Sequence, residues 1–404
     1  MPRPTATTAL ASVVTLLGLP SLRAQTSYAL GTRDVSWTNS TGLGSTSLAA
    51  RVLYPATTTA TNAPLLPRAS GWPTIIFLHG FAVVGNSYVP LATLWAQQGF
   101  VVVLSNTMQF DNQGQEYDGR ALFGAAQLAN NTVGSPFQGG LDLQRVALAG
   151  HSMGGGNVAN VLANNPGYRS GFAIAPVPPR GSNGAMVTVP IGVVGGNGDT
   201  IAPPASNALP CYQSLTAFTE LKFFCLLNND ATHTNLAGLF ITGTASTAVF
   251  QRSASIGLGL LQHTLGVSAQ ALEQAIGPPV VNDPRLVSLS QSFANTQVWT
   301  NASLQLGTTV RASVGLEPGI GGIGAAFAPL VAPLPTPLGL LRLDPVTAFV
   351  LQAAVVGPER RADVTIVVPN DPTLVGAVVS LQALGPTTTQ PLSLGGAIAL
   401  AVTP

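Results

Sequence analysis

Charge is what this chain has least of. Asp, Glu, Lys and Arg make up 8% of its 404 residues, against about 25% in an average soluble protein. Lys222 is the sole lysine and the net charge is +1. With no basic run and no base-stacking motif, nucleic acid and anionic lipid are excluded as electrostatic partners. Cysteine is scarce too, with Cys211 and Cys225 the two present. No Cys/His cluster has zinc spacing and no D-x-D-x-D-G calcium loop occurs. A transmembrane helix is lacking as well. Gly319 to Leu341 is apolar enough, but Pro329, Pro333, Pro335 and Pro337 would break it. Glycine (44) and proline (32) are plentiful but have no period, which excludes collagen.

The apolar run Ala9 to Leu19 is too short to span a bilayer. With Arg3 before it and Leu22-Arg23-Ala24 after it, residues 1–24 read as a secretory signal peptide cut after Ala24. The mature chain is therefore expected outside the cytoplasm, extracellular or periplasmic. In that compartment the even pair Cys211 and Cys225 is expected to be a disulfide, worth about 3 kcal/mol in the chain-entropy model. Two buried free thiols are the alternative.

The length suggests two or three domains. Ser27 to Tyr54 holds two alternating stretches, an antiparallel entry hairpin. Near-continuous apolar runs then mark strands buried on both faces, at 73–78, 100–104, 145–148, 170–174, 189–194 and 221–227. Helical periods separate several of them, at 88–98, 117–130, 154–164 and 211–219, and closing helices follow at 256–275. This alternation predicts an α/β fold, a mostly parallel sheet with helices on both faces, over residues 25–297. From about Trp299 short strand-like runs are punctuated by Gly, Pro and Asn. They predict a small all-β sandwich over 298–404.

The chemistry centres on Gly150-His151-Ser152-Met153-Gly154, a G-x-S-x-G sequence that follows an apolar strand and opens a helix. That context predicts a nucleophile elbow with Ser152 at its apex. A serine needs a base, and the base an orienting carboxylate. Of the four histidines, His79 precedes a loop, His151 sits inside the elbow and His263 lies in an apolar helical stretch. His233, in Asn228-Asn-Asp-Ala-Thr-His233 after the last strand, is the expected base. Asp199, directly after a buried strand in Gly198-Asp199-Thr200-Ile201-Ala202-Pro203, is preferred as the acid over Asp230 and Glu220. The oxyanion hole needs two backbone donors. The N–H groups of Met153 and Phe81 are the candidates. No metal or organic cofactor is needed by such a site.

These motifs, G-H-S-M-G-G-G, G-D-T-I-A-P and N-N-D-A-T-H, resemble the α/β-hydrolase superfamily. Within it they are similar to cutinase-like polyester hydrolases and dienelactone-hydrolase-like esterases, over about Ser27 to Phe293. The resemblance implies Ser152 as nucleophile, Asp199 as acid, His233 as base, and Phe81 and Met153 as oxyanion donors. Asp111 and Arg120 also fit the family pattern. Two departures stand out: Val177-Pro178-Pro179 replaces the aromatic wall of the polyester hydrolases, and Ser152 stands where the closest dienelactone hydrolases carry Cys. The run 368–384 resembles a β-rich module of secreted bacterial proteins. Only Val177 to Thr188 separates the two strands after the elbow, too short for a lid. The expected activity is thus a secreted, monomeric serine ester hydrolase whose open cleft takes bulky or polymeric esters. A small-ester or dienelactone-type esterase, a lipase or a peptidase of the same fold are the alternatives, and a non-catalytic binding protein is a further one.

Overall fold

In the computed structural model, which describes residues 27–39 and 42–404, the chain enters through an antiparallel hairpin. Strands β1 (Leu30–Thr38) and β2 (Ser47–Pro55) form it, and the two-residue β3 (Ala60–Thr61) lies beside β1. The expected signal peptide lies outside the described residues. The apolar runs then become the sheet centre, in the order β4 (Trp72–Leu78), α1 (Val89–Ala96), β5 (Val101–Ser105), α2 (Asn112–Asn131) and β6 (Leu141–His151). There follow α3 (Met153–Leu162), β7 (Ser170–Ile174), β8 (Ile191–Gly196), α4 (Ala208–Ser214) and β9 (Leu221–Leu227). Helices α5 (Gly243–Thr264), α6 (Leu272–Ile276) and α7 (Pro278–Val281) lead into β10 (Leu286–Phe293).

The sheet order is β10-β9-β8-β7-β6-β4-β5-β2-β1-β3. The six strands from β9 to β5 are parallel, while β2 and β10 run antiparallel at either side. Side chains of period two feed two cores. Ile75 and Phe77 of β4 join Trp95, Phe172, Leu260 and Leu272 on one face, under α1, α5 and α6. Ile76 and Leu78 join Leu122, Val158, Tyr212 and Phe224 on the other, under α2, α3 and α4. At about 2 kcal/mol per fully buried large apolar side chain, these two layers are the main favourable term in a chain so poor in charge. Because α1 leaves β4 toward one face and α3 leaves β6 toward the other, a crevice opens between these neighbouring strands at their carboxyl ends.

Sequence expectations and structure differ in three places. Strand β9 is not the last of the sheet. The segment Leu286–Phe293 pairs antiparallel with it, and its half-exposed pattern hides it among loops of similar polarity. Helix α5 begins at Gly243 rather than Ile256, because its first turns are small and polar. Near Gln297 the C-terminal strands pack closely on the preceding residues in a seam. Trp299 is fully buried in the first core, its Nε1–H donates to Glu273 Oε2 at 3.0 Å, and Glu273 also pairs with Arg311.

The third difference is a correction: Cys211 and Cys225 are both free and buried, with no disulfide between them. Strand alternation gives the reason. Phe224 faces α4, with its ring 6.1 Å from that of Tyr212, so the next residue, Cys225, points to the opposite core. The sheet therefore lies between the Cys225 thiol and the helix that carries Cys211.

Beyond the seam, β11 (Gln297–Thr300) and β12 (Thr309–Gly315) are followed by β13 (Gly319–Ala326), β14 (Pro329–Thr336) and β15 (Gly339–Leu343). Strands β16 (Phe349–Val356), β17 (Arg361–Val367), β18 (Val378–Gly385) and β19 (Ser393–Ala401) complete this part. They form sheets β11-β12-β17 and β14-β15-β19-β18-β13-β16 around a third core that includes Val298, Val314, Ile323 and Leu381. The proline-rich run 319–341 is thus strand, not helix. Among the described residues no helix is long and apolar enough to cross a membrane.

Burial pushes both thiols up to about 12. Neither is therefore expected to react with a thiol-specific reagent at pH 8 until the protein is unfolded. A reducing agent should leave the thermal midpoint unchanged, and a drop of several degrees would instead indicate the disulfide.

Candidate active site

The elbow is built by close approach. Ser152 has φ 58° and ψ −118°, a region that residues with a Cβ rarely occupy. Three backbone bonds hold it there. Its N–H donates to Ile174 O at 2.9 Å, and its carbonyl accepts from Gly156 at 3.0 Å and Val177 at 3.2 Å. Helix α3 then passes so near β4 that a Cβ on Gly154 would lie 2.3 Å from Leu78 O. Only glycine fits there.

Ser152 is half-buried at the carboxyl end of β6, and the loop after β4 lies against it. A Cβ on Gly80 would sit 3.4 Å from Ser152 Cβ. The next residue along is Phe81. Among the described residues neither the Phe81 N–H nor the Met153 N–H has a hydrogen-bond acceptor. Met153 opens α3, where the unpaired N–H groups and the positive end of the helix dipole gather.

Asp199 and His233 lie on the loops after β8 and β9, and both are buried. His233 Nδ1 is 2.7 Å from Asp199 Oδ2, while Asp199 Oδ1 accepts from the N–H groups of Ile201 (2.9 Å) and Ala202 (2.7 Å). A carboxylate oxygen accepts, so in a neutral imidazole this bond puts the proton on Nδ1 and leaves Nε2 its lone pair. Asp230, the rejected candidate, is exposed and bonds Asn228 at the turn. The loop after β9 meets the elbow through His151, whose ring centroid lies 4.6 Å from that of His233. His263 packs at the seam against Gln297, at 3.1 Å. His79 is buried with Nε2 2.8 Å from Thr107 O.

Of the two further residues, Asp111 caps α2 by accepting from Gly114 N–H at 2.6 Å. Arg120 pairs with the buried Glu116, which also pairs with Arg180 and so ties α2 to the loop after β7. Sequence reasoning did not name Glu116, nor the buried chain beneath the loop after β4. In that chain Gln115 Nε2 donates to His79 O at 2.8 Å, and Asn157 Nδ2 donates to Gln115 Oε1 at 2.9 Å. Polar residues on the buried faces of α2 and α3 were the available signal. Phe110 was missed as well. It is 61% exposed and stands edge-on to the 57% exposed Phe81, with ring centroids 5.9 Å apart. Ile201, beside Asp199, is exposed too.

Among the described residues no cluster of His, Cys, Asp and Glu could hold a metal ion. A cavity of about 700 Å³ lined by Arg33, Leu65 and Pro136 opens at the amino ends of β4 and β6. That is the opposite edge of the sheet from Ser152.

Comparison with known proteins adds family evidence. A family model described as PETase, PET hydrolase-like, matches residues 20–250, more than half of the chain. The bis(hydroxyethyl) terephthalate hydrolase of Streptomyces coelicolor is 32% identical over 181 residues, 45% of this chain and 54% of that protein. Cutinase 1 of Thermobifida cellulosilytica is 34% identical over 140 residues, 34% of this chain and 51% of its own length. Cutinase est1 of Thermobifida alba is 32% identical over 156 residues, 38% of this chain and 51% of that one. The chain thus spans about half the length of the curated relatives it matches.

Substituting Gly154→Ala is expected to force α3 off β4 and destabilise by about 1–3 kcal/mol. The change should be visible as a lower midpoint in chemical denaturation. An unchanged midpoint would contradict the close approach.

Proposed function

The chain belongs to the PETase family of PET hydrolase-like proteins, and from that premise we propose that it is a serine hydrolase of carboxylic esters whose open cleft takes bulky or polymeric substrates. Ser152 Oγ attacks the ester carbonyl while His233 Nε2 takes its proton. Asp199 keeps the imidazole in the required tautomer and stabilises the imidazolium that forms. The N–H groups of Phe81 and Met153 receive the oxyanion. The imidazolium returns its proton to the departing alcohol, leaving an acyl-enzyme, and water activated by the same imidazole releases the acid. The 2.7 Å bond between His233 and Asp199, both on loops at the edge that carries the elbow, is the observation on which this rests.

Three features support the substrate class. The segment between β7 and β8 is short and holds one turn of 3-10 helix, Asn183–Met186, so no lid covers the elbow from there. Exposed Phe81 and Phe110 offer a flat aromatic and aliphatic subunits a landing surface beside the oxyanion loop. The near absence of charge suits an uncharged polymer. Secretion after cleavage at Ala24, action as a monomer, and a separate β-sandwich domain over 298–404 belong to the same proposal.

Ser152→Ala is expected to abolish hydrolysis of soluble p-nitrophenyl esters with the fold intact by circular dichroism. Asp199→Asn should lower kcat by about 10³- to 10⁴-fold through loss of the correct tautomer. Retained turnover in Ser152→Ala would refute the mechanism. For the substrate, rates on a polyester film, on long-chain and short-chain esters and on a peptide amide should fall in favour of the film and esters. Cleavage confined to short-chain esters would move the assignment to a small-ester esterase.

A further inference from the structure

A buried chain of hydrogen bonds joins the two loops that flank the elbow. Gly80 N–H donates to Tyr88 Oη at 2.9 Å, Tyr88 Oη lies 2.9 Å from His151 Nδ1, and His151 Nε2 lies 2.8 Å from the backbone carbonyl of His233. Tyr88 is fully buried and His151 is 2% exposed, so no solvent substitutes for these partners. The direction of every bond is determined. A carbonyl only accepts, so His151 carries its proton on Nε2 and donates it to His233 O. His151 Nδ1 is then an acceptor, the Tyr88 hydroxyl must be its donor, and the phenol oxygen is left to accept from Gly80.

Protonated His151 cannot keep this pattern, because its Nδ1–H would confront the Tyr88 O–H. Burial, and next the charge of His233, hold its pKa down at about 3. Removing the Tyr88 hydroxyl leaves the other tautomer open to His151, and in that tautomer Nε2 has nothing to donate to His233. The base loop's other bonds tie it to itself, as Thr232 N–H does to Asn235 Oδ1, to the acid loop, as Gly198 N–H does to Ala231 O, or to the segment before β10, as Asn228 N–H does to Arg285 O. Among the described residues, His151 is the side chain that bonds it to the elbow. Gly80, at the far end of the chain, immediately precedes the oxyanion donor Phe81.

We propose that Tyr88 and His151 are positioning residues for the reaction: their relay holds the oxyanion loop and the base loop in one register about Ser152. The inference rests on the roles of Ser152 and His233 given above. Neither side chain touches the substrate. Tyr88 acts through Gly80 and through the tautomer of His151, and His151 acts through the backbone of His233.

The test compares the wild-type enzyme with Tyr88→Phe, His151→Gln and His151→Leu on a soluble p-nitrophenyl ester, with Ser152→Ala as control. A displaced base and oxyanion donor lower kcat by roughly 10- to 100-fold while KM stays within about twofold. The rate of fluorophosphonate labelling of Ser152 in Tyr88→Phe should fall in parallel. His151→Gln retains an amide donor for the His233 carbonyl and should keep more activity than His151→Leu. In the unmodified enzyme, imidazole ¹⁵N resonances at pH 7 should show His151 with its proton on Nε2, a measurement independent of how any variant folds. Unchanged kcat in a folded Tyr88→Phe, a loss carried by KM alone, or a proton on His151 Nδ1 would overturn the relay. If Ser152→Ala abolishes turnover and Tyr88→Phe is silent, the relay alone fails; if Ser152→Ala stays active, the hydrolase mechanism fails with it.

Discussion

The backbone of Ser152 is the constraint from which the rest of the site follows. A residue with a Cβ at φ 58° and ψ −118° stores strain of about 1–3 kcal/mol. It persists because neighbouring elements over-determine it. Ile174 at the end of β7 accepts its N–H, and Gly156 and Val177 both donate to its carbonyl. The absence of a side chain at Gly154 lets α3 close on β4. The same geometry puts Ser152 at the junction where β6 ends and α3 begins. The topological crevice between β4 and β6 then places the loop after β4 alongside Ser152.

A second theme is how few charges there are and where they are spent. In a chain with 8% charged residues, the buried acids sit at junctions. Asp199 joins the loops after β8 and β9 through His233. Glu116 joins α2 to the loop after β7 through two arginines. Glu273 joins α6 to β11 and β12 through Trp299 and Arg311. Arg360, paired with Glu317 at 2.8 Å on its own side of that seam, donates across it to the Gln291 carbonyl at 2.7 Å. A buried pair adds little net stability but is costly to break, so such contacts specify which surfaces meet. The C-terminal strands are therefore held against the α/β part in a defined orientation.

Much of this was legible from residue order, because burial on both faces of a strand leaves an unbroken apolar run. Strands β7 and β9 begin and end where their runs do. The elbow was legible because its glycines obey a steric rule local in sequence. What is settled by tertiary placement was not. Strand β10 is half exposed and carries a weak pattern. The pairing of Cys211 with Cys225 looked sound from count and compartment, yet it depends on which face of the sheet a side chain occupies. Trp299 packs in the first core with Phe293 and Leu272, a membership that no local pattern announces. Phe110 and Gln115 carry no motif; only the packing of α2 brings them to the site.

The proposed reaction depends on a single activated hydroxyl, and the position of covalent modification tests it most directly. Intact enzyme treated with a fluorophosphonate at neutral pH, digested and mapped by mass spectrometry, should carry one adduct, on the peptide containing Ser152. The adduct should be absent when the protein is denatured first, and absent in His233→Ala. An adduct on another residue, or equal labelling of Ser152 without His233, would contradict the account.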